Sequence, residues 1–412
     1  MLKNNRYFTQ SLLLLSTTVF SVGFIFLYNF MLSKLLGDLD YGNFSLGVNY
    51  FNLIQVLFNF GLFYGAGRIL SLKDTNNDQS IRSIYGNSIS IIFLNYFILC
   101  VLVLMFFLLF KVNDNFLKSV FICSLPLLWL SIMNGHNEII LQSRNEIFLL
   151  SISRLLPKFI FVIIIGFYYY NNYDLGSADS FLLYNLCFLP VFFLLILFLK
   201  PSITNFKYSI SEIFYETKKF GFNVYIGSII AVGASSITGI IISMYGVNNA
   251  EVGYFNLALQ ITAPLSLVPN ILGTVLFKKF SQELSINTGI ILLVIGINII
   301  MLIILLLFSD IFILLVFGDS FIYTAKLIKW LSVSSILYGI SDFFNKFLLS
   351  HGKGSELRNA SFLVGGTLLI GNLVFINFWG SLGATLALIM AGSIYLAVVL
   401  FYYNKFTKTN CG

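Results

Sequence analysis

Charge is the scarcest commodity in this chain. Of 412 residues only 10% are Asp, Glu, Lys or Arg, where a soluble globular domain carries roughly 25%. An ordinary soluble globule is thereby excluded. There are two histidines and four cysteines, and Cys100, Cys123, Cys187 and Cys411 stand singly, without the spacing of a metal or redox site. Three of the four lie in apolar runs, where thiols behave as small hydrophobes, so no disulfide, zinc or thiol chemistry is indicated. Room for a soluble catalytic domain is also lacking, because every loop expected outside the membrane is short. The net charge of +7 reports membrane orientation first, and no nucleic-acid partner is expected.

What the chain has in abundance is apolar sequence: 58% hydrophobic residues and a mean hydropathy of +0.91. These values describe an all-α polytopic membrane protein. The first apolar stretch, residues 11–32, exceeds the roughly 7 to 15 residues of a signal-peptide core and lacks a small-x-small cleavage site, so it reads as a retained span. Uncharged runs of about 20 residues or more place ten helices directly. Two more are required, and both enclose charge. A helix ending at the interfacial aromatics Tyr168, Tyr169 and Tyr170 must start near Ser151 and therefore contain Arg154 and Lys158. The tenth span, near residues 330–350, must contain Asp342 and Lys346.

The longest interval without a membrane-length apolar run, Lys200 to Lys219, falls near the midpoint. It divides the chain into a six-helix lobe (1–199), a polar cytoplasmic linker (200–219) and a second six-helix lobe (220–412). The two halves repeat a phrase. Asp40, Gly42, Phe44 and Leu46 align with Glu251, Gly253, Phe255 and Leu257, and the same register sets Arg68 on Lys279. Internal duplication in an apolar chain marks transporters, whose site lies between the repeats. With both termini in the cytoplasm, all but Lys34, Lys111, Lys118, Lys326 and Lys329 of the 24 Lys and Arg fall on the inner side, as the positive-inside rule requires.

The repeated phrase, the twelve spans in two sixes and the short loops resemble the multidrug/oligosaccharidyl-lipid/polysaccharide exporter superfamily, and within it the bacterial O-antigen and polysaccharide flippases. The matching stretches are Leu36 to Leu46, Leu141 to Asn145, Tyr245 to Phe255, and Gly380 to Thr385. The resemblance implies two six-helix lobes around a central cavity opening alternately to either side of a bacterial inner membrane. Its cargo would be an undecaprenyl-diphosphate-linked oligosaccharide, turned from the cytoplasmic to the periplasmic leaflet without enzymatic chemistry. It further implies a cationic inner half of the cavity, no cofactor beyond a proton or sodium gradient, and a polysaccharide polymerase and chain-length regulator as partners beside the lipid bilayer. An ion-coupled drug exporter of the same superfamily is the alternative, and would favour acids in its cavity. A membrane polymerase or ligase would need a sizeable periplasmic loop.

The residues themselves offer these candidates. Arg154 and Lys158 are spaced i, i+4, on one helix face. They would clamp a diphosphate, or else snorkel to headgroups. Asp342 and Lys346 share the same spacing, either as a self-neutralising pair or with Asp342 as an ion-coupling switch. Arg68, Arg144 and Lys346 complete the basic candidates, with orientation signalling as the plainer role for Arg68 and Lys279. His136 and Glu138 lie two residues apart, on different helix faces and out of register for a shared metal, and are expected at the interface, with the lesser alternative that one of them joins the cavity opposite Asp342 and Lys346. The small residues Ala231 to Gly239, and Ser16, Thr17, Thr18 and Ser21 in the first span, read as helix-packing stripes that also face a cavity in this architecture.

Overall fold

The computed structural model describes the backbone of residues 2–72, 78–109 and 124–411. Lys73, Lys111, Lys118 and Cys123 lie outside the described residues, as do the side chains of Lys3, Arg6, Lys278 and Cys411. Among the described residues every regular element is helical. Seven helices are long and apolar enough to cross a membrane. Two of these, Leu13–Leu57 and Gly354–Lys408, each hold two spans, bent where Gly37 (φ 69) and Gly380 (φ 53) leave helical geometry. Only glycine takes such backbone angles without a Cβ penalty.

Three more spans fall short of the apolar criterion for visible reasons. The fourth (Trp129–Ser143) is short. The seventh is interrupted by π-helical turns at Thr217–Gly221 and Ile229–Gly233. The tenth (Ile322–Ser350) carries Lys326, Lys329, Asp342 and Lys346. The described residues thus form twelve spans, an all-α polytopic membrane architecture.

Contacts divide the chain into two compact units, Met1–Leu36 with Gly47–Gly233, and Gly37–Leu46 with Ala234–Gly412. In the first unit a core of buried side chains, including Phe63, Ile84, Ile132, Leu195 and Ile213, joins the second, third (Gln79–Met105), fourth and sixth (Ser177–Leu199) spans. The stretch expected as a linker is mostly ordered into this unit. Helix Phe206–Glu216 buries Ser209 and Ile213 and runs straight into the seventh span. The Ser83 hydroxyl donates to the Thr204 carbonyl at 2.6 Å, and Thr217 packs where Gly65 has no side chain.

In the second unit the eighth span (Ala250–Val275) lies along the tenth, with Gly339 against the Leu265 carbonyl. Phe280, Phe343 and Phe347 form a buried aromatic cluster beneath them. The stripe at Ala231 to Gly239 is a packing stripe in its described part: Ser236 and Thr238 are buried, and the Asn372 amide donates to the Thr238 hydroxyl at 2.7 Å.

Candidate functional site

The fourth and fifth spans form a hairpin whose turn dictates the site. The fourth helix stops in a Schellman arrangement. The Asn145 amide reaches the Gln142 carbonyl at 3.1 Å, the Glu146 amide reaches the Leu141 carbonyl at 2.9 Å, and Asn145 sits in the left-handed region at φ 57. The fifth helix then begins at once, at Ile147. Residues equidistant from this turn must meet, and Glu138 and Arg154 are equidistant from Glu146. The Arg154 Nε donates to Glu138 Oε1 at 2.9 Å, and its Nη2 contacts the same oxygen.

Because the fifth helix starts at Ile147 and runs to Asn171, Arg154 and Lys158 both lie inside a span, one turn apart and on one face. They border a cavity of about 430 Å³ within the first unit. The first span contributes Thr17, Thr18 and Ser21 to its wall, and the second and fourth contribute Asn52, Gln55 and Asn134. Tyr184 and Phe188 of the sixth span close the apolar side. The Lys158 ammonium donates to the Ser21 hydroxyl and forms no ion pair among the described residues. Arg154 and Glu138 are half-exposed, at 37% and 38%, so their pair is wetted by the cavity rather than sealed in the core. Among the described residues the lining thus carries two bases, a single acid, and neutral amides and hydroxyls beside Val22, Ile25, Pro157 and Phe188, a surface whose polar part suits an anion joined to a polar body.

The other sequence candidates are held elsewhere. Arg68 pairs with Glu216 at 3.1 Å and lies over the Phe220 ring, while Arg144 pairs with Glu146 at 3.6 Å beside the hairpin turn. Neither lines the cavity. In the second unit Lys346 lays its stem against Gly273.

The expected self-neutralising pair of Asp342 and Lys346 does not form. Asp342 instead accepts from the Tyr395 hydroxyl at 2.9 Å and the Asn270 amide at 3.2 Å. One helical turn of separation puts two side chains on one face, but neutral donors on the eighth and twelfth spans reach the carboxylate first.

The expectation that His136 is interfacial is likewise corrected. It is fully buried, stacked on Tyr85 and bonded to Ser88 at 2.7 Å. Glu138 is the one of the two that lines a cavity, the lesser alternative, though beside Arg154 and Lys158 rather than opposite Asp342 and Lys346. Its role was legible in the sequence only through its distance from the turn. The amides of Asn52, Gln55 and Asn134 carried no signal that distinguishes them from other polar residues in spans.

The fold and the cavity define a polytopic membrane protein with a polar chamber inside its N-terminal helices. No protein-family model and no curated protein sequence matches the chain. Solved structures match it over nearly its whole length. The lipid II flippase MurJ in an inward closed conformation superposes with a TM-score of 0.76 at 16% identity, covering 95% of this chain and 87% of that one. A multidrug resistance MATE family transporter of the MOP superfamily, inward-facing, gives 0.70 at 13% identity, covering 95% of both chains. The MATE multidrug transporter DinF-BH in complex with R6G gives 0.68 at 13% identity, covering 96% of this chain and 94% of that one. At these identities the likeness establishes the fold alone: the chain shares the all-helical membrane fold of these solved structures.

Proposed function

We propose that this chain is a flippase that carries an undecaprenyl-diphosphate-linked oligosaccharide from the cytoplasmic to the periplasmic leaflet of a bacterial inner membrane by alternating access. The observation that carries the reading is Lys158, an intramembrane cation with a hydroxyl for a partner and no carboxylate among the described residues, one turn from Arg154 on a cavity wall. A charge in a span is costly and faces a partner or a watery chamber. A diphosphate supplies the missing counter-charge, held by Arg154 through a two-point fork and by Lys158 as a point charge. The hydroxyls and amides around it suit the first sugars. The shared fold with a lipid II flippase supports the same class of cargo. Both termini are placed in the cytoplasm, the polymerase and chain-length regulator receive the product, and Asp342 is assigned to coupling with a proton or sodium gradient.

The test replaces Arg154 and Lys158 by Gln, singly and together, and measures surface polysaccharide at matched protein abundance. Wild-type levels in the double variant would end this assignment. Glu138 favours a second reading, export of a cationic drug, which the fold shared with the R6G-bound transporter accommodates. Under that reading the double variant keeps rhodamine export and Glu138→Gln loses it.

A further inference from the structure

We infer that Glu138 is a built-in surrogate for the cargo: its carboxylate occupies the Arg154 guanidinium while the cavity is empty and must be displaced by an incoming diphosphate. The inference rests on the flippase reading and assigns Glu138 the regulation of that site.

Three observations carry it. Among the described residues Glu138 is the only acid lining the cavity, and it engages Arg154 through both Nε and Nη2, the guanidinium edge a phosphate would use. The pair is half-exposed to the chamber, so it belongs to the weakly held class of solvated ion pairs rather than to the sealed class whose rupture is severe. Among the described residues Lys158, on the same wall, keeps only a hydroxyl. An entering diphosphate therefore meets one free cation at once and a second that releases on exchange.

The consequence is a threshold. Two bare cations at membrane depth would attract any anion, including the single-phosphate headgroups that surround the protein in excess. With Glu138 in place, a ligand must outcompete a carboxylate already seated on Arg154, and a diphosphate bridging Arg154 and Lys158 is better equipped to do so than a lone phosphate. Competition with an internal ligand lowers apparent affinity by the fraction of time the site is free. Glu138 is thus a specificity-setting residue that acts through Arg154.

The test titrates farnesyl diphosphate into the purified full-length protein in nanodiscs, by calorimetry, for wild type, Glu138→Gln, Arg154→Gln, Lys158→Gln and the Glu138→Gln/Arg154→Gln double variant. The expected result is about tenfold tighter binding in Glu138→Gln, corresponding to a site roughly nine-tenths occupied by the carboxylate, with the gain falling to less than about twofold in the Arg154→Gln background. Equal or weaker binding in Glu138→Gln, while Arg154→Gln and Lys158→Gln bind more weakly than wild type, makes Glu138 a structural tether and overturns the inference while leaving the flippase reading intact. An undiminished gain in the Arg154→Gln background also overturns it. Unchanged binding in both Arg154→Gln and Lys158→Gln defeats the flippase reading itself. If Glu138→Gln does not fold, Glu138→Asp decides: the shorter acid keeps its charge but loses reach, so tighter binding supports the inference and equal or weaker binding overturns it.

Discussion

Gly42 and Gly253 touch. A side chain on Gly253 would begin 3.0 Å from the Gly42 Cα and 3.1 Å from its amide nitrogen, and one on Gly42 would begin 2.0 Å from the Asn249 carbonyl oxygen. These glycines hold the same place in the two copies of the repeated phrase, so the duplication visible in the sequence is realised as a contact of the phrase with its own copy inside the second unit. Polar groups frame the contact. The Asn249 amide donates to Asn43 at 2.8 Å, and the Tyr254 hydroxyl donates to Asp38 at 2.6 Å.

Gly42→Ala should destabilise the protein more than Gly253→Ala does. The first introduces a methyl against rigid backbone at a distance no relaxation of side chains relieves. The second presses on the Tyr41 ring at 2.9 Å and on the Gly42 backbone at 3.0 and 3.1 Å, inside van der Waals contact but less deeply than the 2.0 Å overlap at Gly42. Overpacking of this kind costs roughly 1–3 kcal/mol or more, read as a lowered Tm in detergent. Gly23→Ala, where nothing lies within 4 Å, should match wild type or exceed it by up to about 1 kcal/mol, the gain of alanine over glycine in a helix.

Asp342 gives a second prediction, opposite to the one its spacing from Lys346 suggests. Exchanging the two residues, Asp342→Lys with Lys346→Asp, should not restore function, because the Tyr395 hydroxyl and the Asn270 amide would lose their acceptor. Tyr395→Phe should lower stability by about 1 kcal/mol, the scale of one hydrogen bond within a membrane bundle. A fully active reversed pair would mean that Coulomb attraction across one helical turn governs this site instead.

Much of the architecture was legible because hydrocarbon thickness leaves few choices. The requirement for about 20 helical residues places Arg154 and Lys158 inside the fifth span from the sequence alone, and helix Ile147–Asn171 contains both. Pairing across helices was not legible in the same way. The i, i+4 rule links Asp342 to Lys346 within one helix, yet donors from neighbouring spans claim the carboxylate. Glu138 and Arg154 meet because of where the Asn145 turn falls, a tertiary fact that spacing along one helix does not encode. His136 was assigned by its nearness to the end of a span. Its burial depends on Tyr85 and Phe63 arriving from two other helices.

His136 itself yields a third prediction. The Ser88 hydroxyl lies 2.7 Å from both the Tyr85 carbonyl and the imidazole Nε2, so it is the hydrogen-bond partner of that ring nitrogen. Ser88→Ala strands a fully buried ring nitrogen, at a cost of about 1–3 kcal/mol. The measurement is a thermal shift with farnesyl diphosphate binding in parallel. Stability should fall while affinity stays unchanged, as neither residue lines the cavity.

The seventh span carries its own matched pair of controls. On Gly221 a Cβ would lie 2.3 Å from the Gly61 carbonyl oxygen and 3.0 Å from the Gly65 nitrogen, whereas on Gly227 it would meet nothing within 4 Å. Gly221 ends the π-helical turn Thr217–Gly221, and Gly227 sits in the α-helical stretch Phe222–Ser228 that follows. The two alanine variants therefore separate close helix approach from glycine's intrinsic cost in a helix. Gly227→Ala should be neutral or stabilising by up to about 1 kcal/mol, the ordinary gain of alanine over glycine. Gly221→Ala should lose at least as much, because the second and seventh spans must part to admit the methyl. Equal Tm values for the two variants would show that the contact at Gly61 yields freely, and that glycine at this point of the seventh span serves flexibility rather than packing.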